Sequence, residues 1–101
     1  MDAQQLRAER DAKAKPHLQQ FAPVWLVDEK VIEKEDALLF NVVFQHNQYG
    51  WVNRRYRYDG FNDVLYYRGQ VAISENDAIE IQETEPYIGA LVADIPNAYG
   101  G

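Results

Sequence analysis

GWVNRRYRYDGFNDVLYYRGQVAI, residues 50–73, decides the fold. Two runs rich in Val, Tyr and Trp flank Asp59-Gly60, and such residues suit a pleated, half-buried surface. Asp-Gly between such runs is a strong hairpin signal, because a two-residue turn with positive φ at both centres suits this pair. A turn of Asp59-Gly60 alone and a loop over 59–62 both preserve pairing parity, so alternation yields the same two faces. One face collects Val52, Arg54, Tyr56 and Tyr58 with Leu65, Tyr67, Val71 and Ile73, and reads as core. The other collects Trp51, Asn53, Arg55 and Arg57 with Val64, Tyr66, Arg68 and Gln70, and reads as solvent-facing. Arg54 is the misfit on the core face; its stem is expected over Tyr56 or Tyr67, with the guanidinium reaching the sheet edge.

Outward from this hairpin, 37–45 (ALLFNVVFQ) is the most apolar strand, and its near-continuous apolarity predicts a central strand covered on both faces. Before it, Pro23 opens an extended run, 24–27 form a β-type segment, and 33–36 make a charged turn. After it, 46–50 turn the chain into the hairpin. Ile79 and Ile81 alternate with Glu80 and Gln82 and predict a further short strand, with a one-turn helix capped by Ser74 as the competing assignment. Residues 87–93 pack back as strand or short helix, and the pattern does not decide which.

The N-terminal 2–15 is built from good helix formers, with Pro16 expected to end the helix. Leu6 is its only large apolar residue, so a solvated, fraying helix is predicted. The organisation is then a polar helix or arm at 1–16, a single antiparallel-sheet domain at 17–94 and a flexible tail at 95–101. The fold class is α+β or mainly β: a small antiparallel sheet of four to five strands in meander order with a peripheral N-terminal helix. Its expected core contains Trp25, Leu26, Phe40, Val42, Phe44, Tyr56, Leu65, Val71, Ile79 and Ile81.

Composition limits the chemistry. The chain of 101 residues has no cysteine, which excludes thiolate catalysis, disulfides and cysteine zinc sites. Ser74 and Thr84 are its only hydroxyl nucleophiles besides tyrosine, and both sit in turn or acidic surroundings. His17 and His46 belong to no metal-ligand spacing and read as surface histidines. The acidic clusters at 33–36 and 75–85 read as a solvated rim. No enzyme activity, cofactor or metal is therefore predicted. The N-terminus lacks the apolar segment of a signal peptide and no apolar run is long enough to span a membrane, so a cytoplasmic protein is expected.

The net charge of −6 is unevenly placed. Residues 40–70 carry four basic and two acidic groups, whereas 71–101 carry no basic and six acidic groups. The hairpin is a basic island in an acidic protein. Trp51, Arg55, Arg57, Tyr66 and Arg68 form its candidate partner-binding patch, because Arg and aromatics bring rigid area, cation–π contacts and bidentate recognition of carboxylates.

Three function classes follow. The first is a non-enzymatic protein-binding or assembly module that meets an acidic protein partner. The second is a single-stranded RNA or DNA binder in which Trp51 and Tyr66 stack on bases; the acidic balance argues against nucleic acid, duplex above all. The third rests on Gly100-Gly101, which resembles the free tail of ubiquitin-like sulfur carriers and modifiers. That resemblance implies a β-grasp fold with a helix between two hairpins, where this chain reads as a turn and strands.

Overall fold

The computed structural model describes residues 1–85. Helix α1 (Ala3–Leu18) packs on a four-stranded antiparallel sheet of β1 (Trp25–Ile32), β2 (Ala37–His46), β3 (Gly50–Asp59) and β4 (Val64–Ala72), followed by helix α2 (Glu75–Thr84). The strand order is β1-β2-β3-β4, a meander. This is the α+β form of the expected fold class.

The core forms between α1 and one face of the sheet. Even-numbered residues of β2 and β3, Leu38, Phe40, Val42, Phe44, Val52, Tyr56 and Tyr58, are buried there with Leu6, Ala14 and Leu18 of the helix. Of the expected core, Phe40, Val42, Phe44 and Tyr56 are buried, and Leu26 and Leu65 pack against them partly exposed. The interior strand β2 also buries Val43 on the opposite face, as its apolarity implied.

Helix α1 corrects the sequence reading twice. It runs through Pro16 to Leu18, and its residues Leu6, Arg10, Ala14 and Leu18 are all buried at a spacing of four. The stripe escaped notice because only two of its members are large and apolar. Ala14 is small but fully buried, and Arg10 lays its guanidinium over the Phe40 ring, 4.9 Å from the centroid. Burying Leu18 stabilises by about 1.5–3 kcal/mol, enough to offset most of the roughly 3 kcal/mol cost of an interior proline. At the other end Asp2 caps the helix by accepting from the Gln5 amide at 2.8 Å.

Charge locks this helix to β1. Two residues of β1, Asp28 and Glu29, stand between the pairs Val27–Asn41 and Lys30–Leu39, so the strand bulges there, with Asp28 at φ 55°. The bulge turns Glu29 toward α1, where it accepts from Arg7 Nε at 2.6 Å and from Arg10 Nη2 at 2.7 Å. Burial is the largest influence on the Glu29 carboxyl and pushes its pKa up, but the two arginines together outweigh it and hold the pKa below the usual carboxylate value.

The β3–β4 hairpin keeps the expected parity by a different loop. Asp59 pairs with Val64, so 60–63 form the connection; Asp63, not Gly60, takes the positive φ, 54°, while Asp59 accepts from the amides of Phe61 and Asn62. Gly60 is required for another reason. A Cβ there would meet Leu6 and Met1 side chains at 2.7 Å and the Asp36 carbonyl at 2.9 Å. The pairing then shifts by one residue, since Arg68 and Gly69 both stand opposite Arg55. Gly69 has φ 104°, a conformation that disfavours a side chain, and it marks this second bulge. Beyond it Gln70 pairs with Arg54 on the helix side, while Val71 pairs with Asn53 on the opposite face and is exposed. The expected positions of Gln70 and Val71 are thereby exchanged.

Two further expectations are corrected. Residues 75–84 form helix α2 rather than a strand: Ser74 accepts from the Asp77 amide at 3.0 Å, and Ala78 rather than Ile79 or Ile81 is fully buried. The cap outweighs the two-residue alternation of the isoleucines. Trp25 lies on the opposite face from the main core, half-buried beside Trp51. The tail expected at 95–101, the segment 87–93 and Gly100-Gly101 lie outside the described residues.

Candidate functional site

The face of the sheet turned away from α1 is graded along the strands. One cross-strand row reads Lys30, Leu39, Arg57, Tyr66; the next has Asn41 beside Arg55, with Arg68 and Gly69 opposite; a third reads Trp25, Val43, Asn53, Val71. Helix α2 contacts β1, the edge farthest from β4. Val27 and Val43 are buried on this face, whereas Arg55, Tyr66 and Arg68 are exposed and Arg57 is half-exposed. The face is therefore covered around Val27 and Val43 and open and basic over β3 and β4, with Lys30 of β1 also exposed in the Arg57–Tyr66 row.

Of the five residues singled out in the sequence, the register brings four together. Arg57 and Tyr66 are direct partners, and Arg55 and Arg68 meet at the bulge one step along. Trp51 shares the face but lies six residues from Arg57, about 20 Å along the strand, with its ring 6.0 Å from that of Trp25. Among the described residues the acidic group within ion-pair distance of these arginines is Glu35, 3.8 Å from Arg57, and Asp59 also feels the Arg57 charge. An exposed pair of that length contributes little. Lys30 joins the Arg57–Tyr66 row from β1 and was not anticipated, because placing it requires the Asp28–Glu29 bulge to be known.

A second feature was missed entirely. Between α1 and the outer side of β4 lies a cleft of about 310 Å³, lined by Lys13, His17, Tyr56, Asp63, Leu65 and Tyr67 among others. Lys13 and His17 face it because they lie one turn apart on the helix. In its wall Arg54 Nη1 donates to the Tyr56 hydroxyl at 3.4 Å, and that hydroxyl stands 2.8 Å from His17 Nε2. The direction of the Tyr56–His17 bond is set by the imidazole tautomer, since the phenol oxygen has two lone pairs and can accept from Arg54 and from an Nε2–H alike. Burial, and then the charge of Arg54, lower the His17 pKa below 6.5. Burial also raises the Tyr56 pKa, against the opposing effect of Arg54. Arg54 differs from the expectation in which part covers the rings: the guanidinium itself lies over Tyr67 at 5.2 Å, Phe21 at 4.7 Å and Phe44 at 5.2 Å, and its Nε donates to Gln70 Oε1 of the edge strand β4 at 2.8 Å. His46, read as a surface residue, is half-buried with its ring 4.7 Å from that of Tyr49.

Chemically, the open half of the sheet offers planar cations on a rigid platform, suited to carboxylates. No helix of the described residues is long and apolar enough to cross a membrane. Compared with protein-family models, curated proteins and solved structures, the chain matches none.

Proposed function

We propose that this domain is a non-enzymatic protein-binding or assembly module that contacts an acidic partner through the open half of its sheet. One observation carries the reading: Arg55, Arg57 and Arg68 converge around Tyr66 on one exposed face of a protein whose net charge is −6, and among the described residues the acidic groups near them, Glu35 and Asp59, both lie by Arg57. A cation cluster kept so sparsely neutralised in an acidic chain favours an acidic surface and disfavours wrong partners by like-charge repulsion. The single-strand nucleic-acid reading draws less support. Its two stacking residues, Trp51 and Tyr66, sit at opposite ends of the face, and Trp51 already packs beside Trp25.

The test is affinity capture from a native lysate with the wild-type domain and with an Arg55→Glu/Arg57→Glu variant whose thermal melt matches the wild type. The variant is expected to lose the wild-type partner. An unchanged capture profile would sink the proposal, and capture abolished by ribonuclease would favour the nucleic-acid class.

A further inference from the structure

We propose, resting on the acidic-partner reading above, that the edge of β4, unpaired among the described residues, is the docking line of this domain and that its occupant is an extended peptide segment alternating acidic and apolar residues.

The backbone shows which groups are free. The Ile73 amide donates to the Trp51 carbonyl at 3.0 Å, whereas the Gly60 amide, on the other side of β3, donates to the Asp36 carbonyl at 2.7 Å. Odd residues of β3 thus direct their backbone groups toward β4 and even residues toward β2. In an antiparallel ladder the pair Arg57–Tyr66 then exchanges hydrogen bonds, and the flanking Leu65 and Tyr67 point their amides and carbonyls away from the sheet. No strand pairs with that side among the described residues. The two edges of the sheet are unlike. β1 is broken by its Asp28–Glu29 bulge and carries Lys30, devices that block strand addition. β4 from Val64 to Arg68 is regular, free of proline and carries a single charge.

Side chains on an added strand would alternate between two environments. Positions opposite Tyr66 and Arg68 lie on the open face, beside Arg68 with Arg57 one strand further in; acidic residues fit there. Positions opposite Leu65 and Tyr67 lie on the α1 side, over the cleft of about 310 Å³ whose wall includes Leu65, Tyr67 and Tyr56. Apolar residues fit there. Main-chain bonding supplies affinity and the alternating sites supply specificity, the logic of strand addition to a sheet edge. Tyr66 and Tyr67, 48% and 59% exposed, then gain cover on both faces at once.

The test uses isotope-labelled full-length protein and two capped heptapeptides of equal composition, Glu-Val-Glu-Val-Glu-Val-Glu and Glu-Glu-Glu-Glu-Val-Val-Val. The alternating peptide is expected to bind at least about tenfold tighter than the block peptide. It should also slow hydrogen exchange of the Leu65 and Tyr67 amides by about tenfold or more. In antiparallel addition, the arrangement proposed here, N-methylation of its valine amides should cost about tenfold in affinity, because the valines exchange hydrogen bonds with Leu65 and Tyr67, while N-methylation of its glutamate amides leaves binding intact. These peptide changes leave the protein untouched, so failure to fold cannot imitate the result. If both peptides bind equally, shifting Arg55, Arg57 and Arg68 signals without protecting Leu65 and Tyr67, the edge inference falls and the face reading stands. If neither peptide binds, both fall.

Discussion

Tyr56 and Arg57 are neighbours on β3, yet one is fully buried under α1 and the other stands half-exposed on the face that α1 leaves open. The same alternation continues into the next pair of strands, where Tyr67 partners Tyr56 and Tyr66 partners Arg57. The two faces use similar residues for different ends. Where a helix covers the sheet, aromatic area becomes stability and an arginine such as Arg54 is tolerated only by stacking on rings and bonding to Gln70. Where nothing in the described chain covers it, arginines stand side by side at little cost to the fold, since solvent screens them.

The largest test of this contrast is to truncate one residue on each side of it. Tyr56→Ala is expected to destabilise the domain by about 3–5 kcal/mol, in the range for emptying a buried aromatic site. Arg57→Glu should stay within about 0.5 kcal/mol of wild type, as surface substitutions usually do. Urea unfolding of both variants decides it. A large loss for Arg57→Glu beside a silent Tyr56→Ala would mean that the faces are inverted.

A somewhat smaller effect should come from the charge that fastens α1. Glu29→Ala leaves Arg10, whose side chain is only 4% exposed, with Asp11 alone, which accepts from its Nε at 2.6 Å, and about 1–2 kcal/mol should be lost; this second partner and the residual exposure of Glu29 keep the loss below the range for breaking a buried pair. Arg10→Met should cost less than half as much, because a thioether chain keeps the packing on Phe40 and removes the buried charge together with its need for a partner. Equal losses for the two variants, measured by the same unfolding curves, would show that the pair acts through packing alone.

The meander and most of the helix-side face were legible because alternation in 50–59 and the long apolar run of β2 are properties of consecutive residues. What was not legible depended on contacts between distant ones. The α1 stripe hides in Arg10 and Ala14, whose burial makes sense only against Phe40 and Glu29. Both bulges change parity without changing the hydrophobic pattern near them, which is why Val71 and Lys30 were misplaced or overlooked. A glycine inside an otherwise regular strand was the available sign at Gly69. For α2 the cue is present in the Ser74 cap and Asp77, and the two-residue spacing of Ile79 and Ile81 masks it. In the candidate patch, the grouping of Arg55, Arg57, Tyr66 and Arg68 follows from parity before the bulge, while the position of Trp51 depends on Trp25 across three strands. The cleft by β4 combines one stripe of α1 with an edge strand some fifty residues away in sequence, as the Lys13–Asp63 contact shows, and no local pattern encodes it.

The smallest expected effect lies at that cleft and sharpens the comparison from the covered side. His17 bonds to the buried Tyr56 hydroxyl, packs edge-on against Tyr56 and Phe21, and is faced by Arg54 from β3. Its folded-state pKa is lowered below 6.5, first by burial and then by Arg54, so as pH falls the unfolded chain takes up the proton before the folded chain does. The stabilising contribution is therefore whole above about pH 6.5 and is lost progressively as the pH drops from there through the folded value. Other groups act in the same direction but in a more acidic window: the lowered carboxyls of Glu29, Asp59 and Asp63 begin to lose their contribution only near their ordinary values of 4.5 and 3.8. Thermal melts taken in steps from pH 7.5 downward should show a decline starting just below 6.5 in the wild type. In His17→Gln, which keeps a hydrogen-bonding side chain with no proton to gain, that first decline should vanish while the steeper acid transition remains. A wild-type profile flat down to the carboxylate range would show that the imidazole is freely solvated and that the bond to Tyr56 does not persist in solution.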